Sequence, residues 1–225
     1  TGVTNDLQSL AAVAKEFDKL VLVDAISSLG SIDLPVDAWG CDMVTTGSQK
    51  GWMTPPGLAM VSINQKGWDA YSRAKMPRFY FDLGQAQKFL EKKQTPWTPT
   101  ISIFYGLVVG LDMMAEEGLS NVVTRHCRVG QRARDHVKSM GLSLFPSDET
   151  YASNTVTAVN APDGVDVKKM LQVLRDEKSV VLAGGQRDLD GKIFRIGHLG
   201  LVEESDMDKV ASALSAVLFE LGYRK

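Results

Sequence analysis

The sequence predicts an α/β protein in which a mostly parallel sheet precedes a smaller α+β domain. In the first half of the chain, apolar runs such as residues 20–23 are continuous and end at a polar residue. Continuous apolar runs suit strands that are buried on both faces, as in a parallel sheet. After Gly141, short strand patterns alternate with two helical ones. We therefore expect a larger domain over residues 1–120 and a smaller C-terminal domain over residues 121–225.

The elements of the larger domain follow from residue periodicity. Asn5 or Asp6 can cap a first helix, whose apolar residues recur at helical spacing as far as Phe17. Strands are predicted at residues 20–23, 43–46 and 58–63, and helices at residues 82–92 and 102–117. Pro96 and Pro99 exclude a regular helix between the last two.

The smaller domain begins with a long helix at residues 121–140 that is rich in arginine. Its basic residues include Arg125, His126, Arg128, Arg132, Arg134 and His136. We interpret them as a solvated face, which is the usual role of a charge run on a helix. Strands are predicted at residues 143–145, 155–159, 180–182 and 194–196, and helices at residues 165–176 and 204–221.

Composition argues against several classes of function. The 225 residues include 25 Lys and Arg against 27 Asp and Glu, so there is no basic surplus to hold a nucleic acid. The two cysteines and three scattered histidines show no metal-site spacing, so we expect no metal. No apolar run reaches the roughly 18 residues of a membrane helix, and no signal peptide is visible. We expect no membrane partner and a reduced, cytoplasmic location.

Asp24 and Lys50 end two of the predicted strands. Ligands of open α/β sheets bind at the carboxyl ends of strands. Partial burial there disfavours the ammonium form of a lysine and makes its neutral amine available. A nucleophilic lysine beside a carboxylate is what an enzyme that uses pyridoxal phosphate requires. Taken singly, Asp24 also fits a turn cap and Lys50 a surface lysine.

Five stretches around these residues carry a family resemblance. They are residues 23–30, 46–51, 55–57, 95–99 and 191–200, with sequences VDAISSLG, TGSQKG, PPG, TPWTP and GKIFRIGHLG. Together, and in this order, they closely resemble the class V aminotransferases of the pyridoxal-phosphate fold-type I superfamily. The nearest resemblance is to the alanine–glyoxylate and serine–glyoxylate aminotransferases, and it covers essentially the whole chain.

The resemblance implies a role for each residue that matches a family position. Lys50 would form the Schiff base with the cofactor and move the proton during transamination. Asp24 would pair with the pyridine nitrogen, and Ile26 would pack beneath the ring. Gln49 would donate hydrogen bonds to the phosphate. Thr98 would reach the phosphate of the neighbouring subunit's cofactor, so that a homodimer shares its active sites.

Arg195 would hold the α-carboxylate of the substrate, because a planar guanidinium matches a carboxylate with two parallel hydrogen bonds.

Three other residues within these stretches have open roles. Thr95 lies where some relatives carry a tyrosine to the phosphate, and a threonine is shorter. Trp97 suits either contact across the dimer or packing at an interface. His198 suits either the site beside Arg195 or a hydrogen-bonded structural position.

The resemblance implies transamination between a small amino acid, serine or alanine, and a keto acid such as glyoxylate or pyruvate. It also implies a longer N-terminal part, so we expect this chain to lack part of the site and to be inactive alone. Two alternatives stay open. One is a non-catalytic subunit that keeps the fold. The other is a cysteine desulfurase, which Gln49 disfavours because that enzyme usually has a histidine before its lysine.

Overall fold

The computed structural model describes residues 1–224. The strands are β1 (Leu22–Asp24), β2 (Met43–Gly47), β3 (Ala59–Ile63), β4 (Val156–Asn160), β5 (Ala183–Gly184) and β6 (Ile193–Gly197). The α-helices are α1 (Leu7–Glu16), α2 (Val36–Trp39), α3 (Gln65–Arg73), α4 (Leu83–Leu90), α5 (Ile101–Glu117), α6 (Leu119–Ser139), α7 (Val167–Lys178) and α8 (Glu204–Glu220). Two short 3₁₀ helices lie at Glu149–Tyr151 and Arg187–Leu189. Asp6 caps α1 as predicted, since its carboxylate accepts from the Ser9 N–H at 3.1 Å.

The first sheet has the strand order β1-β2-β3 and is mixed. Strands β1 and β2 are parallel, with Asp24 opposite Thr45, and the connection between them contains α2. Strand β3 is antiparallel to β2, because the chain returns through residues 48–58 without a crossover helix. The described sheet is therefore α/β in character, with one parallel pair and one antiparallel edge.

The expected burial of residues 20–23 on both faces is wrong. Leu22 is 65% exposed, whereas Val21 is buried. Ala11 of α1 packs with Val21 on one face of β1, and β2 is the strand that pairs with β1 among the described residues. Because the other face of β1 is uncovered, the continuous apolar run has one buried side.

The second sheet has the strand order β4-β6-β5 and is antiparallel throughout. Two strand predictions are wrong in detail. Residues 143–145 run beside β4 but form only a single bridge, from Leu144 to Val159, and Pro146 then removes a donor. Residues 180–182 precede the strand, because the Val180 N–H closes the end of α7 by donating to the Leu174 carbonyl, and β5 begins at Ala183.

The buried apolar side chains form two clusters. The first joins α1, β1 and β2 through Ala11, Val21, Ala25, Cys41 and Val44. The second contains Val129, Ala133, Val137, Leu142, Val159, Val167, Met170, Leu174, Leu182, Phe194, Ile196, Met207, Leu214, Val217 and Leu218. The separation of the two clusters supports the boundary that we propose near residue 120. No described helix combines the length and apolarity that a bilayer crossing requires.

The expectation that the charged face of α6 is solvated is wrong for three of its residues. Arg125 is 5% exposed, His126 is 1% exposed and Arg134 is 8% exposed. Helix α6 lies between the second core and two loops whose carbonyl groups these arginines bind. Arg134, for example, donates to the Ser153 carbonyl at 3.0 Å. The positive charges are buried because backbone oxygens and one carboxylate solvate them in place of water.

Candidate active site

Asp24 and Lys50 lie at the carboxyl ends of neighbouring parallel strands. Asp24 is the last residue of β1, and Lys50 follows β2 by three positions. One Asp24 oxygen accepts from the Ile26 N–H at 3.0 Å, which fixes the turn after β1 and leaves the other oxygen without a described hydrogen bond. A cavity of about 480 Å³ opens beside Asp24, lined also by Ser27, Ser28 and Thr155. The pairing of β1 with β2 thus brings the two predicted groups to one edge of the sheet.

Ser48 closes the loop that carries Lys50. Its hydroxyl donates to the Pro55 carbonyl at 2.7 Å and accepts from the Leu58 N–H at 3.2 Å. Its own N–H donates to the Leu58 carbonyl at 3.1 Å, and its carbonyl accepts from the Thr54 N–H at 3.1 Å. Every polar atom of this buried residue is therefore bonded within the loop. Residues 48–58 form a clasped loop, and Lys50 lies half-buried at its start.

Glycine residues let three other segments approach this loop closely. A Cβ built at Gly51 would lie 2.5 Å from the Ser31 hydroxyl and 2.8 Å from the Leu29 carbonyl oxygen, so only glycine fits beside this turn. A Cβ at Gly110 of α5 would lie 2.5 Å from the Trp52 carbonyl oxygen. The clasped loop is thus held between the turn at residues 29–31 and helix α5.

The third segment is the turn at residues 198–202, which follows β6. A Cβ at Gly200 would meet the Met53 side chain at 3.3 Å and the Lys50 carbonyl oxygen at 3.7 Å. Gly200 has a φ of 84°, in the left-handed region that glycine adopts without strain. The strand that carries Arg195 therefore runs directly into a turn that packs on the backbone of Lys50.

Arg195 lies at the centre of β6, opposite Ala158 of β4 and Ala183 of β5. Its side chain is half-buried, and its Nε donates to the Gly184 carbonyl at 2.9 Å. Among the described residues it forms no ion pair with a carboxylate. One donor of the guanidinium is thus used to orient the group, and the Nη donors stay available to a ligand.

Two further predicted residues lie close to Lys50 in sequence or space. Gln49 is exposed, and its side-chain oxygen folds over Gly47, 2.8 Å from where a Cβ would stand. Ile26 is half-buried in the turn after β1. Neither Asp24 nor Lys50 forms an ion pair within the described part of the chain.

Thr98 lies away from these groups, in the exposed segment between α4 and α5. The Thr95 hydroxyl in the same segment donates to the Trp97 carbonyl at 2.6 Å. Trp97 stacks on Tyr80 at 5.4 Å between ring centroids and donates from Nε1 to the Tyr80 carbonyl. Thr95 and Trp97 therefore make local contacts within this segment, and Thr98 is presented to the outside.

His198 is buried, and its Nε2 lies 2.8 Å from the Thr157 hydroxyl. Burial lowers the pKa of His198 to about 4, so the ring is neutral at pH 7. Of the two roles left open for this residue, the structure favours the structural one.

His126 is also buried, and burial lowers its pKa. Its Nδ1 faces the Val122 carbonyl at 2.7 Å, and its Nε2 accepts from the Gly200 N–H at 3.0 Å.

The sequence reasoning missed the residues that hold this arrangement together. Ser48 lies in the stretch TGSQKG. A serine after a strand does not by itself indicate that it makes four hydrogen bonds that close a loop. Arg125 and His126 lay in a run that looked like a solvated face. The signal that could have found them was the interruption of the run by apolar residues at helical spacing, such as Val122 and Val129, which places part of α6 in the core.

Asp24 and Lys50 at this edge of the first sheet, together with Arg195 of the second sheet, fit pyridoxal phosphate and an amino-acid substrate. An amine suits the aldehyde, a carboxylate suits the pyridinium nitrogen, and a guanidinium suits the substrate carboxylate. Asp24, Lys50 and Arg195 all lack an ionic partner among the described residues, which leaves their charges available to a ligand. The close packing at Gly51 fixes the lysine turn, and the cavity opens beside Asp24.

The fold is that of the pyridoxal-phosphate proteins of fold-type I, to which its structural relatives belong. The class-V aminotransferase family profile matches residues 1–189. The chain therefore belongs to the class-V aminotransferase family, as its motifs predicted, and membership of this family implies pyridoxal phosphate as the cofactor.

Three relatives show the range of proteins to which the chain is similar. The small subunit of a soluble hydrogenase from Synechococcus sp. is 46% identical over 224 residues, which cover 99% of this chain and 58% of that protein. The serine–glyoxylate aminotransferase of Arabidopsis thaliana is 36% identical, covering 99% and 56%. The crystal structure of pyridoxamine–pyruvate aminotransferase from Mesorhizobium loti matches with a TM-score of 0.94 and 30% identity, covering 99% and 58%. The chain thus spans little more than half the length of these relatives.

Proposed function

We propose that the protein transfers an amino group from a small amino acid, serine or alanine, to a keto acid such as glyoxylate or pyruvate. The observation that carries the proposal is the placement of Asp24 and Lys50 at the ends of adjacent parallel strands, each without an ionic partner in the described chain. Serine–glyoxylate aminotransferase among the relatives supports the substrate class.

Pyridoxal phosphate, when bound, supplies an electron sink that stabilises negative charge at the substrate Cα. In our proposal Lys50 would hold it through Nζ until the amino group of the substrate displaces that nitrogen. The freed Lys50 amine would then move a proton from the substrate Cα to C4′ of the cofactor. The Asp24 carboxylate keeps a proton on the pyridine nitrogen by accepting its hydrogen bond. Gln49 donates to the phosphate, and Ile26 packs beneath the ring.

Arg195 binds the α-carboxylate of the amino acid through its Nη donors. Its Nε bond to the Gly184 carbonyl holds the guanidinium plane in one orientation, so little side-chain freedom is lost when a carboxylate arrives. Replacing Arg195 with Lys keeps the charge and removes the planar fork. We expect the KM for the amino acid to rise on the order of 10-fold to 100-fold, the range for a lost charge-assisted hydrogen bond.

The lysine is tested by reducing the cofactor-loaded protein with borohydride and locating the pyridoxyl group by mass spectrometry. We expect the adduct on Lys50, no adduct in Lys50→Ala, and a normal adduct in the control Lys192→Ala, which alters an exposed lysine near Arg195. Release of keto acid is then measured with serine or alanine and with glyoxylate or pyruvate. An adduct spread over surface lysines, or no release from any pair, would refute the proposal.

We further propose that the protein is a homodimer in which Thr98 reaches the cofactor of the partner. The exposure of Thr98 beside the packed Trp97 supports this placement. The test mixes Lys50→Ala chains with Thr98→Ala chains. A shared site predicts that hybrid dimers regain activity, because one of their two sites then has both native residues. Activity no greater than that of the two variants measured separately would contradict the shared site.

A non-catalytic assembly subunit is the second candidate. The observation in its favour is the name of the Synechococcus relative, which is a hydrogenase subunit. A non-catalytic subunit predicts no borohydride-stable adduct on Lys50 and no effect of Lys50→Ala on assembly.

A cysteine desulfurase is disfavoured further, since Cys41 is buried and the Cys127 thiol, on helix α6, accepts from the Asn154 amide at 3.2 Å.

A further inference from the structure

Arg125 joins two elements that both pack against the Lys50 loop. Its Nε and Nη2 donate to the two carboxylate oxygens of Glu117, at 2.7 and 2.8 Å. Its Nη1 donates to the carbonyls of Gly200 and Val202, at 2.7 and 3.1 Å. Glu117 is the last residue of α5, and Gly200 and Val202 belong to the turn after β6. The guanidinium therefore ties the end of one helix to a turn distant from it in sequence.

Each of these two elements contacts the loop at backbone distance. Gly110 of α5 faces the Trp52 carbonyl, and Gly106 of α5 faces the Thr54 side chain, with a built Cβ at 2.5 Å and 3.3 Å respectively. Gly200 faces the Lys50 carbonyl from the other element. Because the glycines leave little space at these contacts, a shift of either element displaces the loop.

The same turn is held a second time by His126, whose Nε2 accepts from the Gly200 N–H. Gly200 is thus bonded through both its N–H and its carbonyl to neighbouring residues of α6. These two bonds hold the peptide groups on both sides of the Gly200 Cα and so fix the position of this residue. Arg125 donates four hydrogen bonds through Nε, Nη1 and Nη2, and each carboxylate oxygen of Glu117 accepts one of them.

We propose that Arg125 is a positioning residue, which sets the distance between the Lys50 loop and the strand that carries Arg195. Strand β6 ends at Gly197, three residues before Gly200, so the clamp on Gly200 also fixes the end of that strand. In the transamination proposed above, on which this inference rests, proton transfer requires the carboxylate held by Arg195 and the Lys50 amine at a fixed spacing. A misplacement of about 1 Å is enough to slow such a reaction on the order of 100-fold.

The test replaces Arg125 with Lys in the full-length protein. Lysine keeps the positive charge and cannot reach Glu117 and two carbonyls in one plane. We expect kcat to fall on the order of 10-fold to 100-fold. Amide hydrogen exchange of the cofactor-free protein should rise by roughly 2-fold to 30-fold in both residues 198–202 and residues 48–54. The matched control is Arg132→Lys on the same helix, which alters an exposed pair with Asp208 and should change neither quantity.

Glu117→Gln provides a second variant if Arg125→Lys does not fold. It removes one charge and leaves the bonds from Arg125 to Gly200 and Val202 in place, so smaller changes in the same direction are expected. Faster exchange in residues 198–202 with unchanged exchange in residues 48–54 overturns the inference, as does a normal kcat in folded Arg125→Lys. If the unaltered protein transaminates nothing, the proposed function fails, whereas the exchange measurement still decides whether Arg125 positions the Lys50 loop.

Discussion

Burial of His198 predicts that the protein loses stability as the pH falls below 6.5. The ring is fully buried, it contacts the Thr157 hydroxyl through Nε2, and its Nδ1 has no hydrogen-bond partner in the described chain. Burial is the largest cause that lowers its pKa, from 6.5 to about 4, and the nearby charge of Arg134 acts in the same direction. The folded state therefore resists a proton that the unfolded chain accepts.

The magnitude follows from linkage between protonation and folding. Between pH 6.5 and about 4 the unfolded chain binds more protons than the folded chain, so the stability falls as the pH falls. The loss is about 1.4 kcal/mol at about pH 5.5 and about 2.6 kcal/mol at about pH 4.5. It approaches about 3 kcal/mol at lower pH, where both states are protonated. Above about pH 7.5 the ring is neutral in both states and contributes almost no slope.

The assay is urea denaturation of the unaltered protein and of His198→Gln across this pH range. Glutamine can bond Thr157 and does not titrate, so the variant should be less stable at neutral pH and should show a shallower loss on acidification. His136→Gln is the control, because the His136 side chain is 26% exposed and pairs with Asp208. It should keep the loss that His198 produces. Equal pH slopes for the unaltered protein and His198→Gln would refute the assignment of the slope to this ring.

Three further predictions concern stability. Gly51→Ala places a Cβ 2.5 Å from the Ser31 hydroxyl, so we expect a loss of about 1–3 kcal/mol in thermal denaturation, and an unchanged Tm would contradict the close approach. Phe194→Ala removes a fully buried ring, and urea denaturation should show a loss of about 3–5 kcal/mol. Asp166→Ala removes the carboxylate that caps α7, with an expected loss of about 1 kcal/mol that Asp166→Asn should largely restore.

The sequence predicted most of the larger helices, because their apolar spacing and caps are local signals. It missed α3, which Asn64 caps by accepting from the Gly67 N–H at 2.9 Å. The helix is mostly polar, so no apolar stripe marked it. The strand at residues 20–23 was found, but its two-sided burial was wrong. Burial of one face depends on which strands lie beside it, and that information is not local.

The same difference between local and distant information applies to the candidate site. Lys50, Asp24 and Arg195 could be named from motifs, and the structure places the first two at one sheet edge. The hydrogen bonds from Arg125 to Glu117, Gly200 and Val202 could not be predicted, because they connect residues up to 85 positions apart (117 to 202). Local patterns identify groups that react, whereas the groups that position them are defined by packing between distant segments.

The hydrogen bonds of Ser48 affect the free energy of ligand binding. Residues 49–57 lie inside a loop whose ends are bonded through a single serine, and an open loop of this length would lose about 1–2 kcal/mol of backbone entropy per residue on being ordered. In this protein that ordering takes place when the chain folds. In the proposed site, an arriving cofactor would meet a lysine on a backbone that is already ordered, so that ordering of the loop would not reduce its affinity.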